Sequence, residues 1–145
     1  NTGKTIAFFY VNSEGTVVVR KTDDYIVNMI NIAGARYAFD DLSDEADTST
    51  SSSITLSMEQ FYAQAKDADF LVYNATIADP IKSVDELLSQ SELFADFKAV
   101  KEGNVWTTDK AFFQATDIAA NLILDFNHLV TGQDLDQMTF LTKVD

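Results

Sequence analysis

Short apolar segments typical of strands alternate along this chain with segments of helical periodicity. Lys4–Val11 reads KTIAFFYV and Phe70–Tyr73 reads FLVY, and both are rich in the β-branched and aromatic residues that favour strands buried on both faces. The segment from Asp23 to Ala33 instead carries its apolar residues on one side of a helix. This alternation predicts an α/β fold, a mostly parallel sheet flanked by helices. The length of 145 residues favours a single domain.

Turn and capping signals refine this prediction. The turn residues Asn12–Gly15 separate the first strand from Thr16–Arg20, so the two strands are predicted to form a hairpin. Capping boxes that begin at Ser57 and Ser83 predict two helix starts. The remaining predictions are a helix end at Gly34, a solvated acidic loop over 40–53, a strand at Val105–Thr107, a long helix between Thr116 and Gly132, and a short amphipathic turn in the tail from Gln133 to Asp145.

The composition excludes several classes of function. A net charge of −13 repels the phosphates of nucleic acid and an anionic lipid surface, so neither is expected as a direct partner. The chain has no cysteine and one histidine, His128, which excludes disulfides, thiolate sites and a zinc site of several imidazoles. Its five glycines are dispersed, so it contains neither a dinucleotide fingerprint nor a P-loop. The chain is interpreted as a binding module and not an enzyme, with no intrinsic cofactor and no metal site.

Candidate ligand-binding residues follow the predicted strands and the first helix. In open α/β sheets a ligand lies outside the carboxyl ends of the strands. Aromatic, amide and cationic side chains there suit a large planar or anionic ligand, because they supply stacking surfaces, hydrogen bonds and positive charge. Two alternatives stay open: Tyr73 packs in the core, and Arg20 pairs with a nearby acid. The predicted ligand-binding residues are Arg20, Tyr37, Tyr73, Asn74, Phe113 and Gln114, with Lys21, Thr76, Lys110 and Phe112 beside them in the sequence.

Four segments, taken in order, carry a resemblance to a known family. They are Ile30–Ala35 at a helix end, Ser57-Met58-Glu59 at a helix start, Ala68–Tyr73 at a strand, and Ala99–Val105, which reads AVKEGNV. In this order they resemble the C-terminal lobe of the class III periplasmic binding proteins, which serve ABC importers of iron–siderophores, heme and cobalamin. Many relatives have two consecutive glycines where this chain has Gly34 followed by Ala35.

The resemblance implies a role in uptake. Residues 1–145 would be one α/β lobe of a two-lobed protein, and an N-terminal lobe would precede Asn1. The ligand would be a metal chelate clamped between the lobes and delivered to ABC permease subunits. The protein would be extracytoplasmic, either periplasmic or held at a Gram-positive cell surface by an N-terminal lipid anchor. An acidic residue in the loop after Gly34 would dock the permease; Glu45 is the candidate, with Asp44 and Asp47 as substitutes.

Two other functions stay open at this point. The acidic loop also fits a protein-interaction domain that docks a basic partner, and salt would weaken such binding. The fold class also fits a lobe of a chelatase-like or nitrogenase-like enzyme, although the single histidine and the missing cysteines argue against that function.

Overall fold

The predicted α/β class is confirmed by a computed structural model that describes residues 3–12, 14–20, 25–39, 53–74, 83–108, 118–132 and 141–144. The described strands form one mixed, mostly parallel sheet, with helices on its two faces. The strands are β1 (Thr5–Val11), β2 (Val17–Arg20), β3 (Arg36–Tyr37), β4 (Ser53–Leu56), β5 (Phe70–Tyr73), β6 (Val105–Thr108) and β7 (Leu141–Lys143).

The strand order is β4-β2-β1-β5-β6-β7, and β3 also pairs with β1. Strands β3 and β5 run parallel to β1, and β6 runs parallel to β5. The predicted hairpin is confirmed, since β2 pairs antiparallel to β1 with Phe9 opposite Val19. One side of β1 is therefore shared: β2 pairs with its second half, and β3 pairs with its start at Thr5 and Ile6.

Besides the two-residue β3, two short strands were not predicted. β4 begins at the last residue of the stretch interpreted as a solvated loop, and it pairs antiparallel to β2 with Leu56 opposite Val17. β7 lies where a short amphipathic turn was expected, and it pairs antiparallel to β6. The buried Asp125 carboxylate accepts a hydrogen bond from the Leu141 backbone N–H at 3.1 Å, which holds β7 in place. Both strands are too short to show their own periodicity, so tertiary pairing decides their conformation.

Two helices begin where the sequence places their capping residues. The Ser57 hydroxyl accepts from the Gln60 backbone N–H at 3.2 Å, and Gln60 Oε1 accepts from the Ser57 N–H at 3.0 Å, so that capping box is complete. Ser83 caps its helix through the Glu86 N–H at 3.2 Å. No helix within the described ranges is long and apolar enough to cross a bilayer. The helices are α1 (Tyr25–Ile32), α2 (Met58–Ala65), α3 (Val84–Gln90), α4 (Lys98–Lys101) and α5 (Ile118–Thr131), with a 3₁₀ helix at Glu92–Asp96.

Two glycines end helices in the same way and direct the chain into the sheet. Gly34 has φ of +94°, and the N–H of Ala35 reaches back to the Ile30 carbonyl at 3.1 Å. Gly103 has φ of +74°, and the N–H of Asn104 reaches the Ala99 carbonyl at 2.7 Å. Both are Schellman caps, which favour glycine because its φ is positive. The glycine of the AVKEGNV segment is thus explained by the turn that starts β6.

An aromatic cluster fills the core on the face covered by α2 and α4. Phe61 of α2 is fully buried at its centre, with ring centroids 4.7 Å from Phe9, 5.6 Å from Phe39 and 5.5 Å from Phe97. On the other face α1 packs against α5. Helices therefore cover both faces of the sheet, and the buried residues belong to one continuous hydrophobic core.

Asp69 joins the start of β5 to two neighbouring elements. Its carboxylate accepts from the Thr5 backbone N–H at 2.9 Å and from Lys98 Nζ at 2.6 Å. Burial raises the pKa of Asp69, but the hydrogen bonds from Lys98 and Thr5 and the positive charge of Lys98 outweigh it, so the pKa lies below its ordinary value. The same ion pair raises the pKa of Lys98. Asp69 therefore fixes the end of the sheet at which β1 and β5 begin.

Candidate ligand-binding site

The carboxyl ends of three neighbouring parallel strands meet at one edge of the sheet. Phe9, Tyr73 and Thr107 are in register across β1, β5 and β6. The residues that follow them, Tyr10, Asn74 and Thr108, form the next row, which we call the carboxyl edge. In open α/β sheets this is where ligands bind.

The carboxyl edge is polar but well packed. Asn74 is 2% exposed and Thr108 is 1% exposed, whereas Tyr10 is half-buried. The Asn74 backbone N–H donates to the Phe9 carbonyl oxygen at 2.6 Å, so the β-pairing continues into this row. Buried amide and hydroxyl side chains need hydrogen-bond partners, and such groups at a strand end are suited to fixing the orientation of a ligand or of the loops that hold one.

Arg20 does not lie at the carboxyl edge. Because β2 is antiparallel to β1, its end points away from that edge, and the register places Arg20 beside Phe8. The expectation that Arg20 shares one edge with Tyr73 and Asn74 is therefore wrong. The rule about carboxyl ends applies to strands that run the same way, and β2 is the reversed strand of the hairpin.

The Tyr37 side chain does contact Arg20, through the backbone of Arg20. The Tyr37 hydroxyl accepts from the Arg20 N–H at 2.9 Å and donates to the Arg20 carbonyl oxygen at 2.7 Å. The Tyr37 ring has no exposed surface and lies edge-on to Phe39 at 5.4 Å. These contacts give Tyr37 a structural role at the end of β2. A role in ligand binding for either residue stays a prediction.

Tyr73 also packs in the core, the alternative that the sequence left open. Its ring is 1% exposed and lies edge-on to Phe9 at 5.4 Å. Its hydroxyl accepts from the Val11 N–H at 3.4 Å. Tyr73 thus packs in the core one residue before Asn74 and supports the carboxyl edge. Its contact with a ligand stays a prediction.

Several predicted residues lie outside the described residues. The segments that leave the carboxyl edge, 75–82 and 109–117, contain the predicted ligand-binding residues Phe113 and Gln114. The permease-docking candidate Glu45 is also outside the described part of the chain. The others are Lys21, Thr76, Lys110, Phe112, Asp44 and Asp47.

The sequence argument missed two residues of the carboxyl edge. Tyr10 was counted only as part of the first strand, and Thr108 lies one residue beyond the strand predicted at Val105–Thr107. The hairpin prediction could have identified Tyr10. A hairpin turn after Val11 means that the second strand runs in the opposite direction, so the first strand, and not the second, ends at the carboxyl edge.

A second surface, separate from this edge, is acidic. Met58, Ser91 and Leu93 line a shallow groove of about 640 Å³ together with the exposed carboxylates of Glu59, Glu92 and Asp96. No basic side chain lines this groove among the described residues. In the described ranges no group of three histidine, aspartate or glutamate side chains is close enough to hold a metal ion, and this groove is no exception. The groove therefore presents a negatively charged surface.

Comparison with solved structures gives the same fold. An ABC transporter substrate-binding protein from Listeria monocytogenes EGD-e matches with a TM-score of 0.61 at 16% identity, over 88% of this chain and 47% of that one. The TroA-like periplasmic binding protein FepB from Veillonella parvula gives 0.66 at 12% identity, over 99% and 49%. The periplasmic vitamin B12 binding protein BtuF of Vibrio cholerae gives 0.55 at 13% identity, over 89% and 45%. The chain thus spans about half the length of each solved structure.

The sequence itself matches a family. No curated protein sequence matches the chain significantly. The profile of the periplasmic binding protein family, however, matches residues 1–112, well over half of the chain, and the fold of the solved relatives agrees with it. Proteins of this family bind their ligands outside the cytoplasm and without chemical change. The chain belongs to the periplasmic binding protein family.

Proposed function

We propose that this chain is one lobe of the substrate-binding component of an ABC importer, and that it captures a metal chelate of the iron–siderophore, heme or cobalamin class. The observation that carries the proposal is the carboxyl edge, the row of Tyr10, Asn74 and Thr108 that follows the in-register residues Phe9, Tyr73 and Thr107 of three parallel strands. The solved relatives support the ligand class only in part: one is described as a vitamin B12 binding protein.

In this proposal the lobe supplies half of a binding surface. The chain spans about half the length of its solved relatives, so a second lobe would close over the ligand and bury both surfaces. Asn74 and Thr108 directly precede the segments 75–82 and 109–117, and Phe113 and Gln114 in the second segment would contact the chelate. No covalent step is involved.

The test is a calorimetric titration of the protein in its full-length form with heme, a ferric siderophore and cobalamin. Binding of one of them at micromolar or tighter affinity, weakened by Phe113→Ala and by Thr108→Val, is the expected result. Asn28→Ala on the exposed side of α1 is the control, because Asn28 is exposed and is not one of the carboxyl-edge residues. Binding that none of the carboxyl-edge variants weakens would refute the site; the absence of binding to all three ligands would refute the ligand class.

We also propose that an acidic surface of this lobe docks the permease. The groove beside Glu59, Glu92 and Asp96 concentrates three exposed carboxylates, which suits pairing with basic residues. Glu45 is the candidate from sequence. The same acidity fits a general protein-interaction domain. A measurement of ligand uptake distinguishes this function from permease docking, because only permease docking requires the acidic surface for uptake.

Neutralising each surface separately tests which one docks. Glu59→Gln combined with Glu92→Gln should slow uptake in a reconstituted transporter and leave ligand affinity unchanged. Asp85→Asn combined with Glu86→Gln on the exposed start of α3 is a control of equal charge. If Glu45→Gln alone reproduces the defect and the groove variant does not, the docking surface lies in the loop.

A further inference from the structure

The outer surface of α1 and α5 lacks charge in a strongly charged chain. The sequences of these helices, YIVNMINI and IAANLILDFNHLVT, contain one aspartate, Asp125, and no glutamate, lysine or arginine. Asp125 is 1% exposed, so it adds no charge to the surface. Over the whole chain 23% of the residues are charged, and the net charge is −13. We call the exposed residues of α1 and α5 the neutral face; depletion of charge of this kind is typical of the centre of a protein interface.

Two exposed apolar side chains lie close to one contact on the neutral face. Ile32 is 69% exposed and Leu124 is 52% exposed. The two helices pack against each other, and Asn127 Nδ2 of α5 donates to the Ala33 carbonyl oxygen at 3.0 Å. Leu124 lies one turn before Asn127, and Ile32 directly precedes Ala33, so both apolar side chains lie near this contact. One exposed leucine needs no explanation, but two large apolar side chains on an uncharged surface indicate contact with another molecule.

Electrostatics selects the partner. A basic partner gains nothing on the neutral face and is attracted to the carboxylates elsewhere on the chain. Two copies of the chain carry −13 each and repel one another wherever acidic surfaces meet, so they approach most easily across an uncharged surface. The other described helices all present exposed charged side chains: Glu59 of α2, Glu86 of α3, Lys98 of α4 and Glu92 of the 3₁₀ helix.

The polar groups of the neutral face can pair with copies of themselves. A two-fold interface places the same surface patch on both sides, so its polar groups must be self-complementary. Carboxylates and ammonium groups fail this requirement because like charges repel, whereas an amide or a hydroxyl carries both a donor and an acceptor. The exposed polar side chains described on the neutral face are three amides and a hydroxyl: Asn28, Asn31, Asn127 and Thr131.

We infer that the neutral face is a self-association surface, on which a second copy of the chain docks about a two-fold axis with Ile32 and Leu124 at the centre of the contact. The inference does not depend on the proposed function, because the neutral face covers one face of the sheet, whereas the carboxyl edge lies at the ends of the strands. The acidic groove beside α2 lies on the opposite face of the sheet.

Sedimentation velocity of the chain, from about 10 μM to about 1 mM, tests the inference. The mass should rise with concentration from 16.1 kDa towards twice that value. Added salt should strengthen the association, because it screens the repulsion between two acidic copies. A mass that stays at 16.1 kDa over this range, or an association that weakens as salt is added, would overturn the inference.

Variants locate the contact. Ile32→Glu and Leu124→Glu should each weaken the association at least about tenfold, because each places a charge in an apolar contact, and neither should destabilise the fold, because both positions are exposed. Ala63→Glu adds the same charge at an exposed position of α2, on the opposite face of the sheet, and is the matched control. Equal weakening by Ala63→Glu and Ile32→Glu would show that net charge alone is responsible and would refute the site.

A mixture of variants tests the two-fold arrangement. An equimolar mixture of Ile32→Glu and Ile32→Lys should associate more tightly than either variant alone, because attraction replaces repulsion across the contact, whereas a mixture of Ala63→Glu and Ala63→Lys should show no gain. No gain in the Ile32 mixture would contradict a contact centred on Ile32. Flotation with phosphatidylcholine vesicles that Ile32→Glu abolishes, without any rise of mass in solution, would assign the neutral face to lipid and overturn the inference.

Discussion

The two ends of the sheet are built differently. Where the parallel strands begin, connections are short and closed by backbone hydrogen bonds: Gly34 and Gly103 end helices one or two residues before a strand, and Asp69 ties β5 to β1. Where the strands end, the chain beyond Asn74 and beyond Thr108 lies outside the described residues, and it contains the predicted ligand-binding residues Phe113 and Gln114. Short, satisfied connections stabilise a fold, whereas binding residues are often carried on the segments beyond strand ends.

This difference indicates a division of labour. Changes at the beginning of the strands should lower the free energy of unfolding and spare chelate binding. Changes beyond the carboxyl edge should do the reverse.

The largest expected effect tests whether the two ends are one cooperative unit. Phe61→Ala removes the ring at the centre of the aromatic cluster and should lower the free energy of unfolding by about 3–5 kcal/mol. Denaturant unfolding measures the loss. Hydrogen exchange should show equal loss of protection in β1 near Thr5 and near Tyr10; protection lost at one end alone would show that the ends unfold separately.

The next effect concerns the stable end. Asp69→Asn removes the charge that Lys98 and the Thr5 N–H contact, and it should lower the free energy of unfolding by about 1–2 kcal/mol at neutral pH. Asp67→Asn on the exposed surface nearby is the control and should change it by less than about 0.5 kcal/mol. Chelate affinity should not change, and a loss of affinity would contradict the division of labour.

The same variant has a definite pH dependence. The pKa of Asp69 is lower in the folded chain than its ordinary value of 3.8, so folding favours the ionised carboxylate. Its contribution is complete above that value and is lost as the pH falls through the lowered pKa. The stability difference between wild type and Asp69→Asn should therefore be constant near neutrality and shrink below about pH 4. A stability difference that grows on acidification would show that folding raises the pKa of Asp69 instead of lowering it.

Beyond the carboxyl edge the expected effect is on binding. Phe113→Ala should weaken chelate binding about tenfold, or about 1.4 kcal/mol, because it removes a stacking surface. Its free energy of unfolding should stay within about 0.5 kcal/mol of wild type. Calorimetry and denaturant unfolding of the same sample decide the point, and a destabilised variant with unchanged affinity would place Phe113 in the core.

The smallest effect sharpens the account of the short connections. Gly103→Ala should cost about 1 kcal/mol, because φ is +74° and a Cβ there meets no atom within 4 Å, so only backbone strain opposes it. Glu102→Ala, one residue earlier and with a negative φ of −95°, is the control. A cost well above that of strain would mean that this turn also constrains the start of β6.

The sequence allowed the class of fold, the hairpin, the Ser57 capping box and the Gly34 helix end to be predicted, because each depends on local conformational preferences. β4 and β7 could not be predicted in this way, since their pairing with β2 and β6 joins distant parts of the chain. The site was harder still. Asn74 was placed correctly next to a strand end, but the position of Arg20 depended on the direction of its strand within the sheet. The predicted hairpin already implied that this strand is reversed, so the error came from applying the carboxyl-end rule to it.

The shared side of β1 has a consequence for the order of folding. The hairpin of β1 and β2 is a local structure that forms within microseconds, whereas β3 reaches β1 only after α1 has formed and packed. The two hydrogen bonds between the Tyr37 hydroxyl and the Arg20 backbone join these early and late parts. We expect them to form after the rate-limiting step, so that Tyr37→Phe accelerates unfolding and leaves the refolding rate nearly unchanged. The Tyr37 hydroxyl would then slow the unfolding of this part of the sheet without changing its rate of folding.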